Sequence, residues 1–225
     1  MSALGNPIFQ NSSVPSLYYH NDNAIDVKVC TVGESSVGKS SIIKRMSKGT
    51  FNQLNNSATI GGAFIALHQT RGNRKYVYKI WDTAGQERFK SLVPMYLKNS
   101  RIVLLIFDIT DKSSYNSAIE FWYDYIKKTA PLATIILIGN KSDLEKNRKI
   151  KKTKVKTLAK DLGMIYMESS AKTGDSIGDL KDKLMDVTEN NINQIIEDQR
   201  VNDVIDHADL DEAAVSRYMN CTGSC

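Results

Sequence analysis

Two near-continuous apolar runs constrain the fold of this chain more than any other feature. RIVLLIFD (101–108) and ATIILIGN (133–140) are separated from neighbouring runs by segments with helical periodicity. A strand that is apolar on both faces has to be covered on both faces, so these runs predict a mostly parallel sheet between two layers of helices. The expected fold class is therefore α/β.

The other segments extend this pattern. Two further parallel strands are predicted at 25–32 and at MIYMES (164–169). FIALHQT (64–70) and YVYKIW (76–81) flank the turn RGNR, which predicts a hairpin that adds one antiparallel edge strand. Helices are predicted at about 39–48, 114–128, 152–162 and 175–190, the last with Asp175 as its N-cap. The expected sheet has six strands.

Composition favours one globular domain with two tails. The chain has 225 residues, of which 41% are hydrophobic and 24% are charged. We expect a flexible N-terminal extension at 1–23, the folded domain at 24–190 and an acidic tail at 191–225. From residue 189 onward there are eight acidic residues and two basic ones, Arg200 and Arg217, so this segment has a net charge of −6. The total charge of the chain is +5, so the rest of the chain carries +11.

Much of the positive charge lies in KNRKIKKTKVKTLAK (146–160), which has eight basic residues. Such a run could meet an anionic membrane or nucleic acid. It has no interleaved aromatic residues, and from residue 152 it has the pattern of an exposed helix face. A solvated surface is the favoured interpretation, and we expect no nucleic-acid partner.

Cysteine usage and hydropathy indicate a cytosolic chain unless something anchors it. No apolar run approaches the roughly 18 residues that span a bilayer, and the N-terminus lacks a basic flank followed by an apolar stretch. Three cysteines are too few for a disulfide framework, and Cys30 is expected as a buried thiol in the first strand. Cys221 and Cys225 differ because both lie close to the C-terminus.

GESSVGKSS (33–41) stands between the first strand and the first helix and matches the P-loop pattern. In such a loop, glycines let backbone N–H groups surround phosphates at a helix N-terminus. Lys39 would reach the β- and γ-phosphates, and the Ser40 hydroxyl would ligate Mg²⁺. The alternative is a tight strand-to-helix turn. The expected nucleotide contacts in this loop are Gly33, Glu34, Ser35, Ser36, Val37, Gly38, Lys39, Ser40 and Ser41.

Three later motifs indicate which nucleotide the site would bind. In WDTAGQERF (81–89), Asp82 ends a strand, where a carboxylate can hold the Mg²⁺ shell through water, and Gly85 offers a backbone N–H to a γ-phosphate. NKSD (140–143) places Asn140 and Asp143 at the carboxyl end of the sheet, where open α/β sheets bind ligands. The Asp143 carboxylate can accept two hydrogen bonds, which suits guanine and not adenine.

SSAK (169–172) follows the last strand and offers a second loop to the base. Taken singly, NKSD and SSAK could be ordinary turn sequences. In this order, each behind its own strand, the four motifs are highly specific for a guanine-nucleotide site.

These residues resemble the small GTPases of the Ras superfamily, and within it the Rab group, over roughly residues 24–190. The resemblance implies a P-loop small GTPase fold that binds GTP, GDP and Mg²⁺. It also implies that Lys141, Ser170, Ala171 and Lys172 complete the base pocket and that Phe51 packs against the purine edge. Thr59 is the implied switch threonine, a Mg²⁺ ligand beside Ser40 and Asp82. Gln86 is the implied catalytic residue that orients the attacking water, with Lys39 and Thr59 assisting.

WDTAGQERF and SLVPMY favour Rab over Ras or Rho, and with ATIGGAF they are most similar to the early-endosomal Rab branch. In that branch Phe64, Trp81 and Tyr96 would form an aromatic triad that effectors recognise, whereas simple core packing is the alternative. The chain departs from the branch in its longer, asparagine-rich segment between Phe51 and Thr59. It also has Ser35 and Ser36 where Ras has small glycines.

The resemblance implies a monomeric switch in vesicle traffic whose GTP hydrolysis is slow without an activating protein. Its partners would be an exchange factor, a GTPase-activating protein, effectors and a GDP-dissociation inhibitor or escort protein. The C-terminus would attach to the cytoplasmic face of endomembranes, most simply early endosomes, through a geranylgeranyl group on Cys221 or Cys225.

The ending CTGSC spaces these cysteines more widely than usual and forms no C-a-a-X box, so an incidental terminal cysteine is the alternative. Three other functions stay open. They are another Ras-superfamily signalling GTPase, a metabolic P-loop enzyme such as a nucleotide kinase, and a nucleotide-bound module that no longer cycles.

Overall fold

The computed structural model describes residues 24–51, 62–83 and 92–196. Its strands are β1 (Ala24–Val32), β2 (Gly62–Arg71), β3 (Arg74–Thr83), β4 (Ile102–Asp108), β5 (Thr134–Asn140) and β6 (Ile165–Ser169). They form one sheet in the order β2-β3-β1-β4-β5-β6. β2 pairs antiparallel with β3, and the other neighbouring strands pair in parallel. The predicted six-stranded sheet with one antiparallel edge strand is confirmed.

The helices confirm the predicted ranges to within about two residues, the usual uncertainty of helix ends. They are α1 (Lys39–Lys48), α2 (Val93–Leu97), α3 (Lys112–Ser117), α4 (Tyr123–Thr129), α5 (Lys152–Asp161) and α6 (Ile177–Asn190). A π-helical turn, Ala118–Trp122, joins α3 to α4. The sequence pattern did not predict α2, because five residues beginning Val-Pro are too few to show a helical period.

The sheet separates two apolar layers. Val27 and Val29 of β1 face a core that includes residues of α1 and α6. Cys30 and Val32 of the same strand face a second core, which includes residues of α2 to α5. Burial raises the pKa of the Cys30 thiol to about 12, which keeps it protonated near neutral pH. The predicted buried cysteine and the predicted helices on both faces are both found.

One predicted helix cap is wrong. The residue at the N-cap of α6 is Ser176, not Asp175, and its side chain makes no capping hydrogen bond. Asp175 instead closes the preceding loop, because its carbonyl oxygen accepts a hydrogen bond from the Ser170 N–H at 3.2 Å. Ser176 has a φ of 55°, so the chain passes through the left-handed region before α6 begins.

The basic run at 146–160 lies largely on the surface, as predicted. In α5, Val155 and Ala159 are buried, whereas Lys152, Lys154 and Lys156 are exposed. Past α6, the helical residues 192–196 include Ile195, which is 3% exposed. Among the residues that the structure describes, none of the helices has the length and hydropathy needed to cross a membrane.

Candidate nucleotide-binding site

The loop at 33–41, here called the P-loop, needs its glycines for space as well as for backbone conformation. Gly33 has a φ of 140°, and a Cβ added there would lie 2.2 Å from the carbonyl oxygen of Ile106. A Cβ on Gly38, whose φ is 96°, would lie 2.2 Å from Nδ2 of Asn140. Either side chain would displace a neighbouring strand end, so the two glycines allow the loop to curl tightly at the carboxyl edge of β1.

The N-terminus of α1 is suited to an anionic ligand. Its N-cap is Gly38, so no side chain caps the helix, and its first turn contains no acidic residue. The first N–H groups of a helix need acceptors and carry partial positive charge. A phosphate group would satisfy both requirements.

Lys39 places a second positive group at the same point. Its Nζ donates to the carbonyl oxygens of Gly33 at 3.0 Å and Glu34 at 2.8 Å, so the side chain folds back over the loop. Burial lowers the pKa of Lys39 to about 8, while the negative charges of Asp82 and Glu34 act in the opposite direction. The ammonium group is therefore held in a desolvated position where an added phosphate would favour its charged form.

Asp82 lies next to this loop because β3 pairs with β1 in parallel. Its carboxylate accepts from the Thr31 hydroxyl at 3.3 Å. Burial raises the pKa of Asp82, and a hydrogen bond from Ser40 and the charge of Lys39 oppose that effect. The predicted Mg²⁺ partners Ser40 and Asp82 are thus in contact with each other.

Asn140 ties the base motif to the P-loop. Its Nδ2 donates to the carbonyl oxygen of Val37 at 2.7 Å, and its Oδ1 accepts from the N–H of Ala171 at 3.2 Å. The side chain is 2% exposed. Three motifs that lie far apart in sequence therefore meet at one buried amide.

The loop at 170–175, here called the base loop, also contacts the Asp143 carboxylate. Ser170 donates to Asp143 Oδ1 at 2.6 Å and accepts from the N–H of Thr173 at 3.1 Å. This hydrogen bond leaves Asp143 Oδ2 as a further acceptor at the edge of the pocket.

Lys141 has a φ of 66°, and its Nζ forms an ion pair with Asp108 Oδ2 at 2.6 Å. Its position is therefore fixed by the end of β4. Phe51 is partly buried and packs against the core beside α1. Ser35 and Ser36 are exposed, and Ser36 adopts a φ of 63°. Thr59, Gly85, Gln86, Cys221 and Cys225 lie outside the described residues.

Phe64, Trp81 and Tyr96 form one contiguous aromatic patch at the β2–β3 edge of the sheet. The Trp81 ring lies 5.3 Å from the Phe64 ring and 5.2 Å from the Tyr96 ring. Phe64 is 50% exposed, whereas Trp81 and Tyr96 are partly buried and Tyr96 packs against the core. The patch therefore joins one exposed ring to two partly buried ones.

Sequence reasoning missed several residues that hold the site together. Arg45 of α1 donates to the carbonyl oxygens of Ala171 and Lys172 in the base loop. Asp108 pairs with Lys141, and Thr31 bridges β1 to Asp82. Thr31 was predicted only as a strand residue. No local spacing marks these residues, because each acts across the sheet on a motif far away in sequence.

The residues present fit a nucleotide with its Mg²⁺. Two glycines form a cradle that a Cβ would fill, and a hydroxyl and a carboxylate meet beside a buried lysine. Within the described ranges, no group of three or more His, Cys, Asp or Glu side chains could hold a metal ion by itself. Fold and site together define a P-loop nucleotide-binding protein.

Comparison with known proteins identifies the family. The sequence model of the Ras family matches residues 28–190. The chain is 39% identical over 159 residues to the GTP-binding protein YPT53 of Saccharomyces cerevisiae, covering 68% of this chain and 72% of that protein.

It is 35% identical over 161 residues to the Ras-related protein Rab-5A of Dictyostelium discoideum, covering 72% of this chain and 80% of that protein. It is 36% identical over 158 residues to the Ras-related protein Rab5 of Nicotiana tabacum, covering 70% of this chain and 78% of that protein. The chain belongs to the Ras family of small GTPases, and these relatives include Rab5-type members.

Proposed function

We propose that this protein is a GTP-binding and GTP-hydrolysing switch that regulates vesicle traffic on the endocytic route. The observation that carries the proposal is the junction of the P-loop, the NKSD motif and the base loop at the Asn140 side chain. This junction holds the proposed phosphate site next to the proposed base site, which supports their binding one nucleotide. The similarity to Rab5-type proteins supports the endocytic assignment.

The base site selects guanine through Asp143. Guanine presents an N1–H and a 2-amino group side by side, and a carboxylate can accept from both. Adenine lacks this pair of donors. The Ser170 hydrogen bond supports this orientation of the carboxylate, and Lys141 and Phe51 would line the base.

Catalysis in this site depends on position and charge rather than on a covalent intermediate. Lys39 and the P-loop N–H groups hold the β- and γ-phosphates, and Gln86 orients the attacking water. Ser40, Thr59 and, through water, Asp82 would hold Mg²⁺, which would supply positive charge against the phosphates when bound. Because an activating protein is expected to complete the charge stabilisation, unaided hydrolysis is slow, and the protein acts as a timer.

The state of the switch is transmitted through the two segments that flank the β2–β3 hairpin. Thr59 and Gly85 would contact the γ-phosphate, and its loss would release both. The aromatic patch of Phe64, Trp81 and Tyr96 borders both segments in sequence, so effectors that bind it would distinguish the GTP form. An exchange factor restores GTP.

Membrane attachment is assigned to a geranylgeranyl group on Cys221 or Cys225, and a GDP-dissociation inhibitor or escort protein would extract the GDP form. A single lipid chain binds membranes only marginally, and the acidic tail supplies no polybasic patch as a second signal. Changing both cysteines to Ser should abolish membrane association in cells and leave GTP binding intact. Membrane-bound protein with unmodified cysteines would contradict the assignment.

The experiment that tests the proposed function is single-turnover GTP hydrolysis with and without an activating protein of the Rab5 type. The parent protein should hydrolyse GTP at about 10⁻⁴ s⁻¹ unaided and orders of magnitude faster when activated. Gln86→Leu should keep GTP affinity and lose the activated rate. A phosphate acceptor other than water would point to a nucleotide kinase, and no hydrolysis in the parent would point to a module that does not cycle.

A further inference from the structure

Arg45 connects the base loop to the C-terminal end of α1. Its Nε donates to the carbonyl oxygen of Ala171 at 2.9 Å, and its Nη2 donates to that of Lys172 at 2.5 Å. Its Nη1 donates to the carbonyl oxygen of Gly49 at 2.7 Å. One guanidinium group thus binds three backbone carbonyls, two in the base loop and one at the end of α1.

The anchored carbonyls belong to two segments, the base loop and the C-terminal end of α1. Ala171 carries the N–H that donates to Asn140, so its carbonyl and its N–H are held from two sides. Gly49 caps α1 and has a φ of 67°, and Phe51 follows two residues later. Loss of the guanidinium would therefore release contacts in both segments.

The base loop also has its own internal hydrogen bonds. Ser170 accepts from Thr173 and, through its carbonyl oxygen, from Gly174. These bonds fix the shape of the loop but not its distance from α1. Arg45 ties the loop to α1 across 126 residues of sequence, and the contact of Asn140 with the Ala171 N–H ties it to the P-loop.

We infer that Arg45 is a positioning residue for the base pocket. It holds the base loop against α1 so that Ser170, through its hydrogen bond, orients the Asp143 carboxylate toward guanine. The inference rests on the proposed guanine site. It assigns Arg45 to base recognition and not to phosphate binding or hydrolysis.

The chemistry requires arginine at this position. A planar guanidinium presents donors in a fixed fork and can bind several carbonyls that diverge from one point. An ammonium group is a single point donor on a flexible stem and could satisfy one or two of the three. Arg45→Lys should therefore give an effect between that of the parent and that of Arg45→Gln.

The test compares Arg45→Gln with Lys48→Gln. Both changes remove one positive charge from the last turn of α1, where a cation interacts favourably with the helix dipole, and Lys48 is exposed. Dissociation of a fluorescent GDP is measured first. Arg45→Gln should release it about tenfold faster or more, as expected for the loss of hydrogen bonds to ordered carbonyls, and Lys48→Gln should match the parent.

The second readout separates base recognition from general weakening. Inosine diphosphate lacks the 2-amino group that Asp143 would bind, so the ratio of its dissociation constant to that of GDP measures base discrimination. This ratio should fall at least about threefold in Arg45→Gln, because a displaced base loop no longer orients Asp143. Equal weakening of both nucleotides, with the ratio unchanged, would overturn the inference and leave Arg45 a structural residue.

A third measurement distinguishes a local effect on the base loop from a general loss of stability in the variant. Amide hydrogen exchange in Arg45→Gln should rise at residues 170–175 more than at 33–40. A uniform rise would also overturn the inference. If the parent itself fails to prefer GDP over inosine diphosphate, the proposed guanine site is wrong, whereas a normal parent with a normal Arg45→Gln ratio contradicts the role of Arg45 alone.

Discussion

The side-chain amide of Asn140 donates to the carbonyl oxygen of Val37 at 2.7 Å and so fastens the carboxyl end of β5 to the P-loop. A Cβ on the adjacent Gly38 would occupy the same space as that amide. The Asn140 amide can therefore take this position only because residue 38 is a glycine. This contact sets the base site and the phosphate site in a fixed relation.

Asn140→Ala should lower GDP affinity by roughly two orders of magnitude. The change removes hydrogen bonds to Val37 and to Ala171, each worth about 1–1.5 kcal/mol, and about 1.4 kcal/mol corresponds to a tenfold change in affinity. Titration calorimetry with nucleotide-free protein measures the change. Asn147→Ala, at an exposed position seven residues later, is the matched control and should leave affinity unchanged. An effect under threefold in Asn140→Ala would show that the junction is dispensable.

The aromatic patch should report the nucleotide state through Trp81. The chain has two tryptophans, and Trp81 packs against Tyr96 of α2, which follows the segment carrying Gly85 and Gln86. The other, Trp122, is 2% exposed in the core on the α3–α4 side of the sheet. Replacing GDP by a non-hydrolysable GTP analogue should change the emission of Trp81 because Tyr96 moves with that segment.

Two single-tryptophan variants make this prediction specific. Trp122→Phe should retain the change in emission, and Trp81→Phe should lose it. A change that follows Trp122 instead would mean that the aromatic patch does not sense the nucleotide.

A buried ion pair behind the base motif should make stability depend on acid pH. Arg148 donates to both oxygens of Glu168, at 2.9 and 3.0 Å, and the two side chains are 15% and 8% exposed. Burial by itself would raise the pKa of Glu168, but hydrogen bonds from Arg148 and Tyr166 outweigh burial and lower it from the ordinary value of 4.5. Because the pKa of Glu168 is lower in the folded state, the ionised side chain adds to the free energy of unfolding above pH 4.5. This contribution is lost as the pH falls through the folded-state pKa.

Arg148→Met should therefore lower the free energy of unfolding near pH 7 by about 2 kcal/mol, because it removes the cation that binds both oxygens of Glu168. Lys152, whose Nζ lies 3.3 Å from Glu168 Oε2, remains as the second cation. The difference from the parent should shrink below about pH 4.5, where the carboxyl group can take up a proton. Urea unfolding between pH 3 and 7 measures both effects. Lys149→Met, an exposed neighbour, serves as the control. A difference that stays constant with pH would show that packing, and not charge, is lost.

The sequence predicted the sheet and the four nucleotide motifs because these depend on local pattern. Apolar runs on β4 and β5 and glycine spacing in the P-loop leave signals within a few residues. The residues that hold these motifs together in the folded protein leave no such local signal. Arg45 resembles any exposed helix residue in sequence, and Asp108 resembles any strand end. Their partners lie 126 and 33 residues away, respectively, and meet them only in the folded sheet.

The failed cap at Asp175 has a related cause. An aspartate one or two residues before an apolar helix face is a good local N-cap signal. Here the base loop needs the Asp175 carbonyl to close on Ser170, which places Ser176 at the cap with a left-handed conformation. The hydrogen bond that closes the loop outweighed the local preference of the helix.

The central claim, a guanine-specific nucleotide switch, is tested most directly by comparing GDP and ADP affinities of the parent and Asp143→Asn. The parent should bind GDP at least about 10³-fold tighter than ADP, because a site built to bind a donor pair strongly rejects a base that lacks it. Asp143→Asn should lose most GDP affinity and gain affinity for xanthosine diphosphate, whose 2-oxo group matches an amide donor. Asp161→Asn, at the exposed end of α5, should behave as the parent does. Affinities for GDP and ADP within about tenfold in the parent, or an Asp143→Asn variant that binds GDP normally, would contradict the account.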